Sequence, residues 1–145
     1  MKQRNILLGA AALTSLMMSV DVAAQSGQPY IHDPSTLVEC DGKFYTFGTG
    51  QGGLITSDGW NWFSGAVRPG GGAAPDALKI GDRYLVIYGA TGGGLGGGHN
   101  GKILTMWNKT LDPQSPDFKY TEAIEVAASD GNEDNDAIDP GLLLD

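Results

Sequence analysis

The sequence predicts an all-β protein assembled from repeats of the propeller-blade type. Three observations carry that prediction. Glycine supplies 23 of the 145 residues, about twice the ~7% of average usage and without the strict G-x-y period of collagen. So many helix breakers disfavour a helical bundle and favour a turn-rich β protein. No long stretch has a 3.6-residue apolar period, whereas short β-branched and aromatic runs bounded by turn residues recur along the chain. Finally, one motif returns at an interval that suits a four-stranded blade.

The first 24 residues read as a secretory leader. Lys2 and Arg4 precede the uncharged run 6–20, and Val22-Ala23-Ala24 fits a small-residue cleavage site. A run of 15 residues falls short of the ~20 needed to span a bilayer. The expected mature segment is therefore 25–145, with no membrane anchor after cleavage and a secreted or periplasmic location. Removing Lys2, Arg4 and Asp21 moves the net charge from −8 to −9. Such an acidic chain has no basic patch for phosphates, which argues against nucleic acid as a partner. Its single cysteine, Cys40, excludes an intrachain disulfide and reads as a small buried hydrophobe on a strand.

Strands are expected at 36–40 and 43–47 around an Asp41-Gly42 turn. Two more are expected at 54–56 and 61–63 around Asp58-Gly59. The hairpin pattern repeats at 77–80 and 83–88 around Gly81-Asp82, and further strands are expected at 102–107 and 124–127. The segment from Asp33-Pro34-Ser35-Thr36 to Gly48 matches the segment from Ala74-Pro75-Asp76-Ala77 to Gly89. Each has a proline, a strand, an Asp/Gly turn, an aromatic strand and a glycine. A third copy starts at Asp139-Pro140-Gly141-Leu142. Pro34 and Pro75 are 41 residues apart, and Pro75 and Pro140 are 65 apart. The longer interval leaves room for insertions at the Gly-rich stretch 89–101 and the acidic stretch 130–136. Two repeats and the start of a third do not close a propeller, which needs about four blades. The chain is therefore expected to be the N-terminal part of a larger protein.

Several motifs fail on context. Residues 48–53 satisfy G-x-G-x-x-G and 96–102 satisfy G-x-x-x-x-G-K, but strand signals follow each where a nucleotide site needs a helix. The spacing of Asp130, Asn132, Asp134 and Asp136 imitates a calcium loop, yet Asn135 and Gly141 stand where that loop needs Gly and Glu. His32 and His99 lack zinc-ligand spacing, and no G-x-S-x-G occurs. Asn108-Lys109-Thr110 is a glycosylation sequon, meaningful only in a eukaryotic secretory route.

The carboxylates at the repeat starts remain. Asp33 and Asp139 each precede a proline and lie 106 residues apart, and Asp76 follows the proline of the second repeat. In a propeller, equivalent positions gather around the axis, and paired carboxylates there suit glycoside hydrolysis. On the residues alone, an Asp-Pro pair that merely starts a turn remains the alternative. Trp60, Trp62 and Trp107 can stack on sugar rings or fill the core.

Ile31-His32-Asp33-Pro34-Ser35-Thr36 with Phe44-Tyr45-Thr46-Phe47-Gly48-Thr49-Gly50 resembles the first blade of glycoside hydrolase family 43. Ala74-Pro75-Asp76 is similar to that family's second-blade motif, and Ala137-Ile138-Asp139-Pro140 to its third. The resemblance covers nearly all of 30–145 and is nearest the endo-arabinanase branch. It implies a five-bladed β-propeller, of which this chain holds about two blades and the start of a third. It implies inverting hydrolysis of α-1,5-arabinan or a related plant cell-wall oligosaccharide. By the same resemblance, Asp33 is the general base and Asp139 raises the pKa of the acid and orients it. Asp76, Asp136 and Trp60 are the expected substrate contacts, although the arabinanase branch carries Asn where Asp136 stands. The family's acid is a Glu of a later blade. Glu122, Glu125 and Glu133 precede Asp139 and match no such motif, so this chain alone is expected to be inactive. No cofactor is expected for the chemistry, and the ligands of any axial metal ion would lie largely beyond residue 145. The alternatives are a β-xylosidase or α-L-arabinofuranosidase of the same family, and a non-catalytic carbohydrate-binding propeller fragment.

Overall fold

The computed structural model describes residues 26–28, 30–50, 52–68, 72–91, 99–131 and 136–145. The expected leader, Glu133, and most of the two insertion loops lie outside the described residues. Among those described there are nine strands and no helix. Among the described residues no helix is long and apolar enough to cross a membrane.

The strands are β1 (Ser26–Gly27), β2 (Val38–Cys40), β3 (Lys43–Phe47), β4 (Gly52–Thr56), β5 (Asn61–Val67), β6 (Ala73–Ile80), β7 (Arg83–Thr91), β8 (Lys102–Asn108) and β9 (Ile124–Ala128). They form two sheets, ordered β1-β5-β4-β3-β2 and β6-β7-β8-β9. Every pairing is antiparallel except that of β1, which runs parallel to β5. Apart from β1, which adds to the outer edge of the first sheet, each sheet is thus a meander of four strands that follow in sequence order.

Turn chemistry sets these registers. Cys40 pairs with Lys43 across Asp41 (φ 52°) and Gly42 (φ 75°), both left-handed as a type I′ turn requires. Ile80 pairs with Arg83 across Gly81-Asp82, where only Gly81 (φ 61°) is left-handed, the pattern of type II′. Between β4 and β5, Asp58 Oδ1 accepts the amides of Trp60 and Asn61, each at 2.8 Å. The Asn61 amide leads the bonds that hold this carboxyl well below the usual carboxylate range.

The core lies between the sheets. Val38, Cys40, Tyr45 and Phe47 of the first sheet meet Ala77, Tyr84 and Val86 of the second. Leu111, from the long β8–β9 connection, completes the cluster with no exposed surface, and its amide donates to Cys40 Sγ at 3.3 Å. The innermost strands β2 and β3 touch β6. As a result the starts of β2 and β6 point to one end of the molecule. The β3–β4 loop is at that same end, and the Asp41-Gly42 and Gly81-Asp82 turns are at the other.

The strand expectations hold in place and order, with shifted bounds: the strand expected at 36–40 begins only at Val38, and that at 43–47 is as expected. The 61–63 strand runs on to Val67, and the 77–80 strand begins at Ala73. The expected strand at 124–127 is present as β9, but it is exposed along its whole length, with Ile124 and Val126 in solvent.

Candidate active site

The end at which β2 and β6 begin carries the three Pro-linked motifs. Asp33, Ala74 and Asp139 each precede their proline with left-handed φ of 48°, 41° and 47°. Non-glycine residues visit that region rarely. Its recurrence at three matching positions marks a repeated backbone pose. The three motifs converge on one hollow of 270 Å³, lined by residues 33–36, 74–76 and 139–140. Asp33 and Asp139, 106 residues apart in the chain, therefore share its wall.

Asp33 is held by its neighbours on the first sheet. Thr49 Oγ1 donates to Asp33 Oδ2 at 2.8 Å. His32 Nδ1 lies 2.8 Å from the same oxygen, on a largely exposed ring. Thr49 is itself fixed by two further bonds and by one of its neighbour Gly50. Its amide donates to His32 O (2.9 Å), its hydroxyl accepts the Ala74 amide (3.0 Å), and the next amide, of Gly50, donates to Gly72 O (2.8 Å). Gly48 lets this loop close, because a Cβ there would lie 2.6 Å from Ile31 Cγ1 and 2.9 Å from His32 O. Beneath the loop sits Arg68, with no exposed surface. Its guanidinium donates to the carbonyls of Gly48 and Gly50 and lies 4.6 Å from the centre of the Tyr88 ring. Burial lowers the hold of this guanidinium on its proton, yet arginine stays charged.

Asp76 lies at the back of the hollow and is 8% exposed. Its Oδ1 accepts the amides of Thr36 and Ala77, each at 2.9 Å, and its Oδ2 accepts the amide of Leu142 at 2.8 Å. Asp136 is at the same end of the molecule but outside the wall of the hollow. Its Oδ1 accepts the Ser129 hydroxyl at 3.2 Å, and the same Ser129 oxygen accepts the Ala137 amide at 2.8 Å. Gly101 gives this segment its place, since a Cβ there would meet Ala137 O and Asp136 Oδ1 at 2.6 Å.

Trp60 is not brought to the hollow. It sits in the β4–β5 turn, next to Thr56, which pairs with Phe44 near the Asp41-Gly42 end. The strands therefore carry it to the opposite end of the sheet from Asp33. Trp62 donates its indole N–H to Gly59 O at 3.0 Å beside the same turn. Trp107 is stacked 4.4 Å from the Arg83 guanidinium at the far end of β8. Among the described residues no glutamate lines the hollow, and Glu125 is paired with Lys102 at 2.6 Å. No group of three or more His, Cys, Asp or Glu among those residues is arranged to hold a metal ion. The sequence includes Thr49 in the first-blade motif without giving it a role, and a lone arginine after a strand, Arg68, carries no motif of its own.

Comparison with known proteins places this geometry. No family model matches the chain. A probable arabinan endo-1,5-α-L-arabinosidase A of Aspergillus flavus is 29% identical over 136 residues, covering 84% of this chain and 40% of that protein. The exo-1,5-α-L-arabinanase from a bovine ruminal metagenomic library superposes with a TM-score of 0.69 at 32% identity, covering 79% of this chain and 42% of the other. The Cellvibrio cellulosa α-L-arabinanase in complex with arabinohexaose gives 0.67 at 26%, covering 79% and 41%. The chain thus spans about two-fifths of the length of these proteins. In sequence and in fold, over about four-fifths of its length, the chain is similar to arabinanases.

Proposed function

We propose that the protein is a secreted glycoside hydrolase that cleaves α-1,5-linked arabinan with inversion. Its scaffold is a five-bladed propeller to which residues 25–145 contribute two blades and the start of a third. The observation that carries this reading is the shared hollow. Asp33 and Asp139 come from separate repeats, stand in the same left-handed pose, and line one wall. The arabinohexaose bound to the Cellvibrio relative supports an arabinan chain as substrate.

In this reading Asp33 takes a proton from the water that attacks the anomeric carbon. The Thr49 hydroxyl occupies one side of Asp33 Oδ2 and leaves Oδ1 for that water. Asp139 faces the same space, where its negative charge disfavours ionisation of a neighbouring carboxylic acid and so keeps that acid protonated. The acid protonates the leaving oxygen and is a glutamate outside these 145 residues. It stands about 6.5–9.5 Å from the base, so that water fits between base and sugar.

The test is hydrolysis of linear arabinan by the whole protein, followed by NMR of the first-formed anomer. Inverted product and a loss of about 10³-fold or more for Asp33→Asn are expected, since a general base contributes about 10²–10⁴-fold and more when it also positions the water. Residues 25–145 alone should release no sugar. Retained configuration, or full activity in Asp33→Asn, would refute the reading. Product length then separates endo action, the name of the fungal relative, from exo action, the name of the metagenomic one. Activity on xylan oligomers with none on arabinan would instead favour the xylosidase alternative.

A further inference from the structure

We infer that Asp76 is a positioning residue whose carboxylate ties the three repeats together and sets the two site carboxylates relative to each other. The inference rests on the proposed function and deepens it. Its ground is a pattern in the hydrogen bonds. The three amides that Asp76 accepts belong to Thr36, Ala77 and Leu142. Each of these residues stands two places after the proline of its own repeat, Pro34, Pro75 or Pro140. One side chain therefore collects the same backbone donor from all three copies of the motif.

The other repeats offer no substitute. The position of Asp76 is taken by Ser35 in the first repeat and Gly141 in the third. Ser35 is spent locally, its hydroxyl accepting the Phe47 amide at 2.9 Å. A carboxylate is the group suited to this place. It has two oxygens with about four acceptor sites and no proton to clash with three converging N–H groups. With three of those sites occupied and 8% of its surface exposed, Asp76 has little left to offer a sugar hydroxyl. Thr36 lies three residues after Asp33, and Leu142 three after Asp139. Fixing those two amides on one carboxylate fixes the start of each Asp-Pro turn.

The asymmetry of the three bonds makes a sharp test. Oδ1 holds two amides and Oδ2 holds one. In Asp76→Asn the amide oxygen takes the two-donor side, and the new NH2 faces the N–H of Leu142. Hydrogen exchange read by NMR on the whole protein should show the Leu142 amide about tenfold or more faster than in the unaltered protein, with Thr36 changed by less than about threefold. In the unaltered protein the Leu142 amide should exchange slowly although it lies in no strand. That measurement needs no variant, so it decides the matter even if Asp76→Asn fails to fold.

On arabinan, Asp76→Asn should lower kcat by about 10–100-fold while KM moves by less than about threefold, because the loss is of transition-state alignment rather than of substrate contact. Fast exchange at Leu142 in the unaltered protein overturns the inference. So does unchanged kcat in the variant, or a raised KM at constant kcat, which marks a sugar contact. Failure of the unaltered protein on arabinan sinks the proposed function instead. Slow Leu142 exchange would then still uphold Asp76 as the tie between repeats.

Discussion

Replacing Arg68 tests how the active end is supported from below. Its guanidinium donates to two loop carbonyls and lies against the Tyr88 ring. Hydrogen bonds from a charged donor contribute about 1.5–3 kcal/mol each, and a desolvated cation–π contact about 0.5–2 kcal/mol. The gross loss in Arg68→Met is therefore about 4–8 kcal/mol. Against it stands the cost of burying the charge, several kcal/mol, which the variant no longer bears. A net destabilisation of about 2 kcal/mol follows. Arg68→Lys should cost more, about 3–4 kcal/mol, because it keeps a buried charge and loses the planar fork that reaches both carbonyls. Urea unfolding followed by tryptophan fluorescence reads this directly. At about 2 kcal/mol per molar urea, the midpoint falls by about 1 M for Met and by 1.5–2 M for Lys. If Lys is better tolerated than Met, the carbonyl fork is not what Arg68 supplies, and the account is wrong.

Two other outcomes follow from the same packing. Leu111→Ala removes a fully buried side chain from the inter-sheet core and should cost about 2–5 kcal/mol, seen as a urea midpoint lower by more than about 1 M. Burial pushes the Tyr45 phenol up to about 12, and burial likewise drives Tyr84 and Tyr120 upward. Since these groups hold their protons more tightly when folded, stability is fully present below about pH 10 and falls as pH rises from there through about 12. Among the described residues the Tyr45 hydroxyl has no hydrogen-bond partner. Tyr45→Phe should thus leave stability at pH 7 unchanged and make the alkaline loss shallower, as followed by tyrosinate absorbance and unfolding midpoint.

The hairpins were legible because Asp41-Gly42 and Gly81-Asp82 are turn chemistry written in adjacent residues. The convergence of Asp33 and Asp139 on one hollow was legible because the repeat marks both positions with a following proline. The arrangement around Asp76 was not, because its donors lie 40 and 66 residues away and backbone amides leave no trace in a sequence. Trp60 shows the opposite failure. Its aromatic face suits a sugar, but suitability does not say which end of a strand a residue occupies, and the register of β3 with β4 sends it away from Asp33. β1 escaped notice because two residues carry no alternation. It adds to the sheet by backbone bonds, and a Cβ at Gly27 would run into the backbone of Trp62.

Ala74 holds the backbone pose of Asp33 and Asp139 without their carboxyl group. The bend therefore does not depend on a carboxyl group at that position. Strain of about 1–3 kcal/mol at such a residue has already been absorbed in all three copies. Position 74 is in that sense a vacant socket on an existing ring of mounts. Evolution or a protein engineer can fit a new reactive group there by changing a side chain alone, with the main chain already bent to present it.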